Sequence, residues 1–202
     1  GKRTRRINQK LRTLYVATRQ PLYAVAGVGA GCGAAVIGYH IFSHIKVRVA
    51  AWQDPFATYS NGGYQIAQSL FAIGSGGLFG LGFGNSRQKY MYVSEPQNDF
   101  IFAIVCEELG IVGAVVVIAL FGILIWRGIK IAMNAPDTFG SLLVTGIVSL
   151  VGIQTFLNIA VVTKMIPTTG ISLPFFSAGG SSLVFLMAAM GMVLNVSKFK
   201  KQ

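Results

Sequence analysis

Along this chain, long unbroken apolar runs alternate with segments that are strongly basic, glycine-broken or acid-bearing. Residues 21–45, 100–126 and 139–162 each supply roughly the twenty apolar residues a helix needs to cross a bilayer, and residues 182–196 make a shorter fourth run. Between the first two lies a long segment, 46–98, that is not simply polar. It opens with Asp-Pro and Asn-Gly-Gly turn signals in AWQDPFATYSNGGYQ and continues as QIAQSLFAIGSGGLFGLGFG. That second piece is too short and too often broken by glycine to span, so it is expected to lie at the interface or dip into it. A second loop, 163–181, is built from Pro, Gly and Ser. The pattern predicts an all-α polytopic membrane protein: four transmembrane helices, a large outer loop with short interfacial or re-entrant helices, and a basic cytoplasmic segment over residues 1–20.

Composition supports this reading. Of 202 residues, 53% are hydrophobic and 11% charged, against about 25% charged in soluble domains, and mean hydropathy is +0.61. The net charge of +11 would suit a nucleic-acid partner, but its placement argues for membrane lipid instead. Lys and Arg gather at the ends of apolar runs. Segments 1–20, 126–140 and 197–202 hold seven, two and three of them, twelve in all, whereas Lys46, Arg48, Arg87, Lys89 and Lys164 are the five in the loops between. Cationic loops stay inside, so both termini are expected in the cytoplasm, with Asp54, Glu95 and Asp99 facing out. Cys32 and Cys106 both fall within apolar runs and read as small buried hydrophobes.

Two patterns carry little chemistry. His40 and His44 stand four apart without a third ligand nearby. The run GSGGLFGLGFG lacks the strand before it and the Lys-Ser/Thr after it that a phosphate loop needs, and is expected to form a flexible hairpin.

The acids are more telling. Asp99 sits where the outer loop becomes the 100–126 helix, reachable from water yet close to lipid head groups. A general base there could meet a lipid-anchored substrate; Asn98-Asp99 also stands where a helix cap belongs. Glu107 and Glu108 lie about 12–14 Å further along the helix, where a carboxylate must face protein or a cavity. Gln154 and Asn158, four apart on one face of the third span, or the glycine-broken backbone, would suit them as partners. Ser177, Gly179, Gly180, Ser181 and Ser182 precede and open the last helix, where free N–H groups and hydroxyls suit a phosphate. Arg87, Lys89 and Lys164 could complete such a site.

Several stretches, in order, resemble the SEDS family (shape, elongation, division, sporulation), which includes FtsW, RodA and SpoVE. They are DPF at 54–56, GYQIAQSLFAIGSGGLFGLGFGNSRQK at 63–89, EPQNDFIFAIVCEELG at 95–110, FLNIAVVTKMIPTTGISLPFFSAGGSSL at 156–183 and MGMVLNVS at 190–197. The resemblance leans toward the FtsW and SpoVE branch and covers the last four spans of the family, with further spans expected before them. It implies a peptidoglycan glycosyltransferase that polymerises lipid II outside the bacterial cytoplasmic membrane, during division at the septum or in sporulation. Its implied partners are a class B penicillin-binding protein and other division proteins. The family's loop acid, in a Thr-Asp-Phe context, falls on Asp99, with Asn98 replacing the Thr. The acid of its Pro-Glu stretch falls on Glu95, with Ser94 for Pro, and Ala178 replaces the Tyr that often precedes the last Gly-Gly. Asp99 and Glu95 are therefore the expected catalytic pair, with room for a divalent cation, Mg or Mn, at the leaving pyrophosphate. A segment of this extent is expected to be an incomplete enzyme by itself. The rival readings are a lipid II flippase and a membrane scaffold for a penicillin-binding protein.

Overall fold

Helix follows the apolar runs. The computed structural model describes residue 33 and residues 40–85, 99–176 and 180–199, and among these every regular element is helical. The expected first span, 21–45, and the basic segment 1–20 lie almost wholly outside the described residues. The chain divides into two compact units, Gly1–Lys46 and Val47–Gln202. In the first, the helical path stops at Phe42, so His40 and His44 do not share one continuous helical face. The elements are α1 (Ser43–Gln53), a wide turn at Tyr59–Gly63, α2 (Tyr64–Gly76), α3 (Ile101–Met133), α4 (Thr138–Val162) and α5 (Gly180–Lys198).

Among the described residues, three helices, α3, α4 and α5, are long and apolar enough to cross a membrane. With 25 residues in α4 and 19 in α5, a rise of 1.5 Å per residue gives about 37 and 28 Å, against a hydrocarbon thickness of about 30 Å. Their outward faces carry exposed Val115, Ile118, Leu120, Phe185 and Leu194. In lipid such a face costs nothing. α3 runs past Trp126 to Met133, because nothing in WRGIKIAM breaks a helix and Pro136 comes only later. Near its end the Lys130 ammonium lies 3.6 Å from the centre of the Trp126 ring, an amphipathic pair suited to a membrane–water boundary.

The α3–α4 connection is short and well tied. Asn134 Nδ2 donates to the Lys130 carbonyl at 2.7 Å, and Ser141 Oγ to that of Ala132 at 2.8 Å. Asp137 is the N-cap of α4, its carboxylate accepting from the Gly140 N–H at 2.8 Å. Asp137→Ala should therefore cost about 1 kcal/mol of stability, read as a lowered unfolding midpoint of the purified protein; an unchanged midpoint would mean the cap is idle.

The packing core has two parts. Ala72 of α2, Phe102 and Phe121 of α3, Val151 and Val162 of α4 and Leu173 of the following loop meet in one. Free, buried Cys106 belongs to it. In the other, Ala132, Val144, Val148 and Val193 join α3, α4 and α5.

The glycine-rich run after α2 is not a free hairpin. At Gly110, with φ 67° and ψ −166°, the helical path of α3 breaks. An unbroken helix would pair the Ile111 and Val112 N–H groups with the Glu107 and Glu108 carbonyls. Those four groups bond to the glycine run instead. Ile111 N–H donates to Gly77 O at 3.0 Å and Val112 N–H to Leu78 O at 3.2 Å; Leu81 N–H donates to Glu107 O at 2.9 Å and Gly82 N–H to Glu108 O at 3.1 Å. Irregular backbone at membrane depth survives only where protein satisfies it. Such close backbone approach needs residues without Cβ: at Gly80, φ +79°, a Cβ would run into the Glu108 carbonyl, and at Gly110 into the Leu78 carbonyl.

Candidate active site at the N-terminal end of α3

Asp99 occupies the turn that leads into α3. Phe100 holds the N-cap position of α3, one residue after Asp99. The Asp99 carbonyl accepts a 2.8 Å hydrogen bond from Asn158 Nδ2, and the same nitrogen donates at 2.8 Å to the Ile171 carbonyl. Asn158 sits fully buried on α4, at 0% exposure. Its amide thus joins the turn before α3 to the loop after α4.

That loop, 163–176, closes over Asp99. A Cβ on Gly170 would stand 3.7 Å from Asp99 Oδ2, so the Gly170 backbone lies against the carboxylate. Lys164 takes a left-handed conformation (φ 59°) just after α4. The Met165 N–H then turns back to the Ala160 carbonyl at 2.7 Å. From α1, Trp52 Nε1 donates to Lys164 O at 3.0 Å and Arg48 Nη1 to Thr168 O at 3.2 Å. Arg48 and Trp52 lie four apart, one above the other on a helix, and together pin the loop at both ends of its first half. Leu173, fully buried, anchors the second half in the core. The result is an acid at the start of α3 with the Gly170 backbone against its carboxylate, beside a loop that contains Lys164 and is held by Arg48.

Not every expected site residue joins this cluster. Arg87, Lys89, Glu95, Ser177 and Gly179 lie outside the described residues. Gly180, Ser181 and Ser182 form the first described turn of α5 and are exposed. Ser182 shares with Gln154, Ser172 and Phe175 the lining of a cavity of about 260 Å³ between α4, α5 and the loop. Glu107 and Glu108 are buried, at 1% and 8% exposure, and Glu108 Oε1 has no hydrogen-bond partner. Asn158 does not serve them, since its NH₂ is spent on Asp99 and Ile171; the broken backbone meets their carbonyl groups. Among the described residues no three His, Cys, Asp or Glu side chains converge as metal ligands.

Sequence reasoning missed Arg48, Trp52 and Gly170. The i, i+4 spacing of a cation and an indole before Asp54-Pro55 was the available signal for the first two.

The FtsW/RodA/SpoVE family profile, described as "Cell cycle protein", matches residues 10–202. The chain belongs to that family. It is 54% identical over 150 residues to Stage V sporulation protein E of Bacillus subtilis (strain 168), covering 74% of this chain and 40% of that protein. It is 49% identical over 154 residues to the probable peptidoglycan glycosyltransferase FtsW of the same organism, covering 76% and 38%. Among solved structures, it aligns with a chain of a peptidoglycan synthase complex, described under "Structural coordination of polymerization and crosslinking", at TM-score 0.65 and 30% identity, covering 89% of this chain and 50% of that one. Thermus thermophilus RodA aligns at TM-score 0.50 and 36% identity, covering 67% and 40%. The chain thus spans about 40% of the length of the curated relatives it matches. This FtsW/RodA/SpoVE member is a membrane protein.

Proposed function

We propose that the protein is a peptidoglycan glycosyltransferase that polymerises lipid II at the outer face of the bacterial cytoplasmic membrane, in division or sporulation. The observation that carries this reading is Asp99 at the mouth of α3, its carboxylate against Gly170 and its carbonyl tied through Asn158 to the loop. Asp99 accepts the proton of the acceptor sugar hydroxyl as that oxygen bonds to the donor's anomeric carbon. The bond from that carbon to the pyrophosphate oxygen breaks, and polyprenyl pyrophosphate leaves. Arg48 and Lys164 offset its charge. Glu95 supports Asp99 from the outer loop. The peptidoglycan synthase complex among the structural neighbours supports a class B penicillin-binding protein as partner.

The buried pair Glu107 and Glu108 favours a second reading, a flippase with a polar path through the bundle. Purified full-length protein given lipid II separates the two. Glycan polymer is the expected product; inverted lipid without polymer would replace the transferase by the flippase. Binding of a penicillin-binding protein with neither outcome would leave a scaffold.

The proposed orientation has its own test. With Ser60 exposed in the turn before α2, a Cys placed there should react with an impermeant thiol reagent on intact cells, and one at Gln202 should not. The reverse pattern would invert the topology and put Asp99 on the wrong side for lipid II polymerised outside.

A further inference from the structure

We propose that Asn158 is a positioning residue for Asp99, an inference that rests on the transferase reading. One buried amide nitrogen bridges two carbonyls, and each governs a different side of the acid. The bond to Asp99 O fixes the peptide plane that carries the Asp99 side chain; the bond to Ile171 O fixes the strand of loop whose Gly170 lies against the carboxylate. The two bonded residues come from opposite ends of the chain's active segment, 59 and 13 positions from Asn158. No nearby helix turn holds them together.

The amide orientation follows from chemistry. Two carbonyl oxygens require donors, and only the NH₂ end of Asn can supply both. The Asn158 oxygen is then left buried without a partner. A buried orphan acceptor is costly, and a leucine of similar volume would avoid it. The amide is therefore explained by what its nitrogen holds, not by packing. Met165 and Ile166, whose N–H groups both turn to Ala160 O, restrain the start of the loop; Asn158 restrains it beside the acid, at Ile171.

The test uses full-length protein, lipid II polymerisation, and thermal unfolding measured on the same preparations. Asn158→Leu removes both bonds at similar volume. Asn158→Ala, the second variant, leaves room for water to satisfy the carbonyls without fixing them. Both should lower kcat per folded molecule by about 10²-fold with KM within about threefold, because the acid is misplaced and substrate contacts are not. A role confined to stability would lower the folded yield and leave that kcat unchanged. In addition, Asn158→Leu combined with Asp99→Asn should be no worse than Asp99→Asn alone, within about threefold, because two groups acting through one step are not additive. Effects that multiply would show that Asn158 acts independently and overturn the proposal. So would normal kcat in both Asn158 variants while Asp99→Asn is inactive, which would leave the transferase reading standing. Failure of both variants to fold would assign Asn158 to folding and overturn it as well. Full activity of Asp99→Asn would remove the transferase reading at Asp99, and this inference with it.

Discussion

Gly110→Ala should destabilise the protein by about 4 kcal/mol, from backbone strain and overpacking together. Gly110 holds φ 67° and ψ −166°, a region closed to residues with a Cβ. The added methyl would also meet the Leu78 carbonyl and the Gly80 nitrogen, backbone atoms that cannot swing aside. Relief requires moving the glycine run off α3. That breaks the four bonds among residues 77, 78, 81, 82, 107, 108, 111 and 112 and leaves their donors and acceptors at membrane depth, where each is costly. Expression and thermal unfolding of the full-length protein should both fall sharply. As a control, Gly74→Ala adds a methyl with nothing within 4 Å and should be close to neutral. A Gly110→Ala protein as stable as wild type would mean the break in α3 is dispensable.

The helices were legible in the sequence because membrane helices announce themselves: α3, α4 and α5 fall on apolar runs whose length is set by the bilayer. The loop–helix junction at Asp99 was legible for the same reason, as the place where an acid-bearing polar segment gives way to an apolar run. What joins these parts was not. GSGGLFGLGFG shows that glycines are dense, but not which backbone they approach, and the partner at 107–112 is fixed only by tertiary packing. Gln154 and Asn158 lie four apart in an apolar helix, and their periodicity offered them to Glu107 and Glu108. Gln154 borders the cavity beside α5, while Asn158 reaches Asp99 and Ile171. Arg48 was legible only as a topology charge, because its hydrogen bond to Thr168 spans 120 positions. In each case the missing information is a long-range contact, invisible to periodicity.

The cap reading of Asp99 and the catalytic reading part most clearly at Asp99→Asn. Asn keeps the shape of Asp and caps helices about as well, so a structural role predicts near-normal activity and a stability change within about 1 kcal/mol. The bond from Asn158 to the Asp99 backbone carbonyl is kept in this substitution, so the change in stability should be small. A proton acceptor is lost outright in Asn, however, and general-base catalysis contributes about 10²–10⁴-fold. The decisive measurement is the initial rate of lipid II polymerisation by purified full-length protein, wild type beside Asp99→Asn, with unfolding midpoint and partner binding recorded on the same samples. The account predicts a rate lower by about 10²–10⁴-fold in a protein that is otherwise folded and competent to bind. Polymerisation at the wild-type rate by Asp99→Asn would contradict it.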